Sequence, residues 1–207
     1  MATESGKLKN EDRLYKEALL EFAAHSYETA SINEILKRAS VSKGSFYHHF
    51  TDKLQLYLEI LDRVSGIQAE FAQRRFQEIR PVGRLDFFIL LKVQGRLILD
   101  FADAYPVEAA FLRNVRSETG SLQETIAQRY SIEGLEYYSH MIEQAIGRGE
   151  LRKDLPIEVM GRLINHVMIN LQEFALPRSN FLGTRDEAAI AAQLDYLLSL
   201  LRSGMRR

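Results

Sequence analysis

The spacing of apolar residues is the feature of this 207-residue chain that most limits its fold. Apolar residues recur every three or four positions through most of the sequence, which places them on one face of a helix. The apolar–polar alternation of half-buried strands is absent, and so is the Asn-Gly pair typical of hairpin turns. All four prolines, at positions 81, 106, 156 and 177, fall where a helical pattern begins or ends. The sequence therefore predicts an all-α protein with about nine helices.

Helix boundaries are predicted from this periodicity together with capping residues. Ser31 followed by Glu34 has the pattern of a capping box, and Ser42 is a favourable N-cap for a short third helix. Thr51 or Asp52 caps the fourth helix. The predicted helices span residues 11–25, 31–40, 42–48, 52–77, 84–104, 106–114, 122–148, 156–174 and 185–203, with a loop at 177–183.

Composition excludes several classes of function. The chain has no cysteine, so it can form neither disulfides nor thiolate metal sites. It has no Gly-rich phosphate loop, no His-Glu-x-x-His and no serine elbow, so we predict that it is not an enzyme and uses no cofactor or metal. The N-terminus is polar, and no apolar run approaches the roughly 20 residues of a membrane span, so a soluble, cytoplasmic protein is expected. The net charge of −1 means that a nucleic-acid-binding surface would have to be a local patch.

The short third helix, at residues 42–50, is too polar to be a core element. Phe46 and Phe50 lie four residues apart and can anchor it on the domain. Its other positions carry groups suited to phosphate oxygens and base edges, and Gly44 allows the backbone to approach a duplex closely. The predicted DNA-contacting residues of this helix are Lys43, Gly44, Ser45, Tyr47 and His48.

Residues 31–50, with Lys53 and Leu54 after them, resemble the N-terminal helix-turn-helix domain of the TetR family of bacterial transcription regulators. The similarity also includes residues 18–27 and covers the first third of the chain. It is carried by Ser31-Ile32-Asn33-Glu34-Ile35 and by the string Val-Ser-Lys-Gly-Ser-Phe-Tyr-His-His-Phe at 41–50. 

The resemblance implies specific roles for several of these residues. The third helix would read the major groove, with Tyr47 and His48 touching DNA. Lys53 would meet a phosphate at the start of the fourth helix. Together with Ser31, these residues complete the predicted DNA-binding set.

Three positions depart from the family pattern. The family usually has Gly where this chain has Ser26 and Ser40, and Ala where it has Leu36. Gly is used where the backbone is left-handed, and a side chain there costs about 1 kcal/mol. These departures bear on the angle between the two helices and remove no DNA-facing group.

Simpler interpretations of the same residues stay open. Tyr47 taken alone could be a core aromatic residue, and Lys37 and Arg38 could belong to a solvated helix face. The adjacent His48 and His49 point in different directions on a helix and lack a completing ligand, so a metal site is not expected there.

The helices after residue 54 match the family in number and length, which implies a domain that encloses an inducer. Such a domain needs a mostly apolar cavity with a few orienting polar groups, for which Gln94 and His140 are the candidates. A core or interface role for His140 stays open. The predicted ligand-binding residues are Phe88, Leu91, Gln94, Ile98, Tyr130, Tyr137, His140 and Met141.

The last two predicted helices each carry an apolar stripe. Two such helices from each of two subunits would form a four-helix bundle, as the resemblance implies. Alternatively, both stripes close the core of one subunit. The predicted dimer-interface residues are Val159, Leu163, Val167, Leu171, Ile190, Leu194, Leu197 and Leu201.

These features predict a DNA-binding domain at residues 1–54 and a ligand-binding and dimerisation domain at 55–207. We expect a TetR-like repressor that binds a palindromic operator in double-stranded DNA as a homodimer and is released by a small-molecule inducer. The alternative is a DNA-binding regulator without small-molecule input, controlled by a protein partner or by its abundance.

Overall fold

The computed structural model describes residues 10–79, 86–130, 133–171 and 187–206. Within these ranges the chain is helical and has no strand, which confirms the predicted all-α class; one isolated antiparallel bridge joins Leu151 to Arg206. The helices are α1 (Glu11–Ala24), α2 (Ile32–Ala39), α3 (Lys43–His49), α4 (Lys53–Ile79), α5 (Phe87–Ala104), α6 (Pro106–Ser117), α7 (Gly120–Tyr130), α8 (Glu133–Gly147), α9 (Ile157–Ile169) and α10 (Glu187–Met205).

Most of these helices lie close to their predicted positions, but the region 122–148 differs. One helix was predicted there, whereas the structure describes two, α7 and α8, with residues 131–132 between them outside the described ranges. The predicted loop at 177–183 also lies outside the described residues. Among the described helices, none combines the length and the mean hydropathy that a membrane span needs.

The chain divides into two compact units. Unit 1 is Met1–Phe71 together with Ala104–Ile126, and unit 2 is Ala72–Asp103 together with Ala127–Arg207. Unit 1 therefore contains α1, α2, α3 and α6, whereas unit 2 contains α8, α9 and α10. The sequence-based boundary after residue 54 falls inside unit 1 and remains a prediction about function.

An aromatic cluster holds α1, α4 and α6 together in unit 1. The Tyr57 ring lies edge-on to Phe22 at 4.9 Å and to Phe111 at 5.3 Å between centroids, and all three side chains are buried. At the end of α1, the side-chain amide of Asn114 donates to the carbonyl oxygens of Phe22 and Ala23, both at 3.0 Å. Because the last carbonyls of a helix have no partner within it, α6 helps to complete the end of α1.

Close packing around α5 forms the core of unit 2. A Cβ atom at Gly95 would lie 2.8 Å from a methyl group of Leu194 and 3.2 Å from one of Leu171. Leu171, Leu194 and Leu201 are buried in this core. Their assignment to a dimer interface is therefore wrong, because these three positions close the subunit itself. The side chain of Ile190 lies outside the described residues.

The turn after α2 has the left-handed backbone expected at Ser40, with φ 56° and ψ 42°. At Ser26 the expectation of a left-handed backbone is wrong. Within the described ranges, the non-glycine residues with positive φ are Asn10 and Ser40, and Ser26 is not among them. Ser26 instead closes a turn: its carbonyl oxygen accepts from the N–H of Ala30 at 2.9 Å, and its hydroxyl bonds the hydroxyl of Thr29 at 2.9 Å.

Replacing Ser40 by Gly should raise the free energy of unfolding by up to about 1 kcal/mol, because the left-handed steric penalty that is relieved, about 1–2 kcal/mol, exceeds the entropy that Gly adds to the unfolded chain, about 0.4–1 kcal/mol. Urea or thermal unfolding measures the change. Ser26→Gly is the matched control. It should lower stability, since Gly increases the entropy of the unfolded chain and the contact with Thr29 is lost. A lower melting temperature for Ser40→Gly would contradict the strain assigned to this turn.

Candidate nucleic-acid interface

Two serines begin the helices of the helix-turn-helix. The hydroxyl of Ser31 accepts from the N–H of Glu34 at 3.4 Å, and that of Ser42 accepts from the N–H of Ser45 at 3.1 Å. The N–H of Ser31 donates to the carboxylate of Glu21 at 2.9 Å, a bond that the capping-box pattern assigned to Glu34. Both predicted N-caps are therefore confirmed. The reciprocal bond of the capping box, to the N–H of Ser31, comes from Glu21 of α1 instead of Glu34.

Two phenylalanines attach α3 to unit 1. Phe46 and Phe50 are buried, and their rings stack with 5.1 Å between centroids. Tyr15 of α1 meets the Phe50 ring edge-on at 6.3 Å. The predicted anchoring role of both residues is confirmed, and it determines which side of α3 faces away from the protein.

The opposite side of α3 is open to solvent. Lys43, Gly44 and His48 are exposed and Ser45 is half-buried. Tyr47 is 56% exposed, so the interpretation of this ring as a core residue is wrong. A Cβ atom at Gly44 would meet nothing within 4 Å, so packing within the subunit does not require Gly there. This side of α3 can therefore be approached by a duplex without any rearrangement of the core.

A buried carboxylate ties α2 to α1. Glu21 accepts from Arg38 Nη2 at 2.6 Å and from the N–H of Ser31, and Arg38 Nε also donates to Glu17 at 3.1 Å. Burial alone would raise the pKa of Glu21, but the hydrogen bonds from Arg38 and Ser31 outweigh it and hold that pKa below its usual value. The interpretation of Arg38 as part of a plain solvated face is wrong, because its guanidinium joins two helices.

The start of α4 places Lys53 against the loop between α1 and α2. Its ammonium group donates to the carbonyl oxygens of Tyr27, Ala30 and Glu28 at 2.6, 3.0 and 3.3 Å. Burial lowers the pKa of Lys53, although nearby carboxylates, with Glu118 the strongest, oppose that shift. The lysine predicted to meet a phosphate is thus bonded to the backbone of its own chain.

Sequence reasoning missed the residues that bind this region from other helices. Glu118, just after α6, accepts from the N–H of Tyr27 at 2.7 Å across 91 positions of sequence. Asn114 and Glu21 likewise bond backbone groups, near the end of α1 and at the start of α2. No local pattern could have identified these residues, because their partners are neighbours only in the folded chain.

Four of the predicted ligand-binding residues belong to the packing of unit 2. Phe88 and Leu91 are buried in its core, and Ile98 and Met141 are half-buried against it. The side chain of Tyr130 lies outside the described residues. 

The two expected orienting groups have different surroundings. Gln94 Nε2 lies 2.5 Å from the hydroxyl oxygen of Tyr137, and Gln94 Oε1 is buried with no hydrogen-bond partner among the described residues. His140 is exposed and bonds Gln144 on its own helix at 2.8 Å. Gln94 is therefore the group that points a free polar atom into the protein.

Two surface grooves of unit 2, with volumes of about 240 and 330 Å³, share Phe88 and Arg202. Phe88 is the predicted ligand residue that lines them. Lys92 in the smaller groove is paired with Asp195 at 2.5 Å, and Arg202 lies 4.9 Å from the centroid of the Phe88 ring. These charges are engaged within the subunit.

Comparison with known proteins gives a match to one family model and to several transcription regulators. Residues 14–60 match the model for bacterial regulatory proteins of the tetR family. The chain is 24% identical over 149 residues to the HTH-type transcriptional repressor AcnR of Corynebacterium glutamicum, with 71% of each protein aligned. It spans 38%, 57% and 24% of the length of the first curated relatives that it matches.

Solved structures share the fold. A TetR family transcriptional regulator from Chloroflexus aurantiacus gives a TM-score of 0.74 at 23% identity, over 96% of this chain and 94% of that one. The transcriptional regulator FadR from Bacillus subtilis, solved in complex with stearoyl-CoA, gives 0.65 at 16% identity, over 93% and 98%.

The lowered pKa of Glu21 predicts a pH-dependent contribution to stability. A carboxylate with a depressed folded-state pKa stabilises the fold above its unfolded pKa, here about 4.5, and that contribution is lost as the pH falls through the folded pKa. We expect Glu21→Gln to remove this part of the acid dependence of the free energy of unfolding.

Urea unfolding between neutral and acidic pH measures the effect. Arg38→Met should cost about 1–3 kcal/mol at neutral pH, because it leaves a buried carboxylate short of a donor. Lys37→Met is the matched control; its exposed pair with Glu34, at 4.0 Å, should matter by less than about 0.5 kcal/mol. If wild type and Glu21→Gln showed the same acid dependence of the free energy of unfolding, the ion pair between Glu21 and Arg38 would not set the stability at low pH.

Proposed function

The chain belongs to the TetR family of transcription regulators, and on that premise we propose that it represses transcription by binding a palindromic operator as a homodimer. Members of this family are DNA-binding regulators and not enzymes. We propose further that a small molecule bound in the C-terminal part of the chain releases the protein from DNA, and that it acts in the cytoplasm, where its DNA target lies.

The observation that carries the proposal is the two-sided character of α3. One side is buried through Phe46 and Phe50, whereas the side with Lys43, Tyr47 and His48 is exposed. Exposed cationic, hydroxyl and imidazole groups on a short helix are suited to phosphate oxygens and base edges in the major groove. Ser45 and Ser31, at the starts of the two helices, complete the proposed contact surface.

The proposed dimer uses a revised set of residues on α9 and α10. Val159 and Leu163 lie one turn apart on α9 and are 59% and 48% exposed, and Tyr196 and Leu200 lie one turn apart on α10 and are 71% and 72% exposed. Each pair lies on one face of its helix. Two such helices from each subunit would bury these faces in a four-helix bundle, with the half-buried Val167 and Leu197 at its margin. The buried Leu171, Leu194 and Leu201 are not part of this interface.

Control by a ligand follows from the symmetry of such a dimer. Two recognition helices must lie about 34–36 Å apart, or a multiple of that distance, to enter successive major grooves. A ligand that binds better to a conformer with another separation lowers operator affinity by its differential binding energy, and DNA lowers ligand affinity equally. Helix α4, which begins at Lys53 and continues to Ile79, is the proposed lever.

A buried, unpaired amide oxygen supports a ligand site near Gln94. Its Oε1 lacks a partner within the part of the chain that the structure describes, and its Nε2 bonds Tyr137. A ligand with a hydrogen-bond donor would satisfy that oxygen. FadR, which shares the fold, was solved with a bound acyl-CoA.

Ligand screening separates this proposal from the alternative of control by a protein partner or by abundance. A ligand that gives a saturable thermal shift and also lowers operator affinity supports the ligand-released repressor.

Tyr47→Ala should weaken operator binding roughly tenfold or more, because an exposed contact residue is lost, and should leave thermal unfolding unchanged. Genomic selection of bound fragments supplies the operator duplex, and fluorescence anisotropy measures the affinity at several salt concentrations. Binding should weaken steeply with salt. Leu20→Ala, which truncates another exposed apolar side chain of unit 1, is the matched control. Wild-type affinity in Tyr47→Ala would remove α3 as the reading element.

Leu163→Asp and Leu200→Asp should shift the protein from dimer to monomer, because each places a charge in the proposed apolar interface. Sedimentation equilibrium measures the distribution. Lys153→Asp, at an exposed position between α8 and α9, is the control and should stay dimeric. Two fully dimeric variants would show that subunits associate through another surface.

A further inference from the structure

The ammonium group of Lys53 has all its hydrogen-bonding capacity engaged within the protein. It donates to three carbonyl oxygens, those of Tyr27, Glu28 and Ala30, at 2.6, 3.3 and 3.0 Å. It also lies 4.5 Å from the centroid of the Tyr27 ring. An ammonium group has three donors, so each has a partner in the folded subunit.

These three carbonyls belong to the loop that leads into α2. Its last residue, Ala30, is followed directly by Ser31, the N-cap of that helix. The same loop is held on its other side by Glu118, which accepts from the N–H of Tyr27 at 2.7 Å. Lys53 itself begins α4, three positions after Phe50, the C-cap of α3. One side chain therefore links the start of α2 to the end of α3.

A phosphate contact would disturb this arrangement. Lys53 could donate to a phosphate oxygen only by releasing one of its carbonyl partners, which are part-buried acceptors. An acceptor left without a donor offsets what the phosphate bond contributes. Lys43, in contrast, is exposed on the open side of α3 and can meet the duplex with its full charge.

We infer that Lys53 is a positioning residue of the DNA-binding surface, which holds the Tyr27–Ala30 loop and the start of α2 against the end of α3, and that it does not neutralise a phosphate. The inference rests on the proposed DNA-binding function. It assigns electrostatic contact with the duplex to Lys43 and geometric support to Lys53.

The salt dependence of operator affinity separates the two roles. Loss of one phosphate contact reduces the slope of log affinity against log salt by about 0.9, whereas loss of a positioning residue weakens binding with an unchanged slope. We expect Lys53→Met to weaken binding to the selected duplex by roughly tenfold or more with the wild-type slope. Lys43→Met should reduce the slope by about 0.9. The exposed Lys153→Met should change neither quantity.

Lys53→Arg provides a second test that retains the positive charge. A planar guanidinium cannot direct three donors from one atom to three carbonyls, so this variant should bind as weakly as Lys53→Met. Amide hydrogen exchange of residues 27–31 in the free protein should become faster in both variants, since the loop loses its donors. All affinities are measured at a temperature where thermal unfolding shows each variant to be folded.

Three outcomes would overturn the inference: a slope reduced by about 0.9 in Lys53→Met, unchanged affinity in that variant, or restored affinity in Lys53→Arg. These results differ from a failure of the proposed function. If the wild-type protein selects no duplex at all, DNA binding itself is refuted, whereas a bound duplex with a reduced Lys53→Met slope refutes only the positioning role.

Discussion

Burial of Phe46 and Phe50 is the interaction on which the candidate interface depends. A helix as short as α3 has too few internal hydrogen bonds to be stable in water on its own. Its stability must come from packing, and the two stacked rings provide that packing on one side only. The side that faces solvent contributes little to the core, so its residues can serve recognition without loss of stability.

Long polar side chains also bond the backbone N–H and carbonyl groups that helix ends and loops leave without a partner. Glu21 bonds the first N–H of α2, Asn114 bonds the last carbonyls of α1, and Lys53 and Glu118 bond the loop between these helices. A short helix-turn-helix has many backbone groups outside regular hydrogen bonding, and each costs free energy if it is buried unpaired. The helix-turn-helix is therefore held by polar side chains at the ends of α1 and α2 as well as by the apolar groups beneath α3.

Local patterns were enough to predict the helices and their serine caps, because a cap and its partner lie three residues apart. The left-handed backbone at Ser40 was expected from the resemblance, because the family usually has Gly at this turn. Local patterns did not identify partners that are distant in sequence: the resemblance implied a phosphate contact for Lys53, and its three carbonyl partners lie more than 20 positions away. They also failed for Leu171 and Leu194, because periodicity shows that a helix has an apolar face but not what covers it.

The packing of Gly95 connects the interior of unit 2 with its exposed apolar surface. A Cβ atom at this position of α5 would lie 2.8 Å from a methyl group of Leu194 on α10, so a larger residue would have to displace that side chain. Because interiors are close-packed, α5 can approach α10 at this point only if the Leu194 side chain or α10 itself moves. Gln94, with its unpaired oxygen, is the adjacent residue, and Tyr196 and Leu200 lie on the outer side of α10. On the proposed function, a ligand that displaces α5 would therefore also act on α10, one of the two helices that carry the proposed subunit contact.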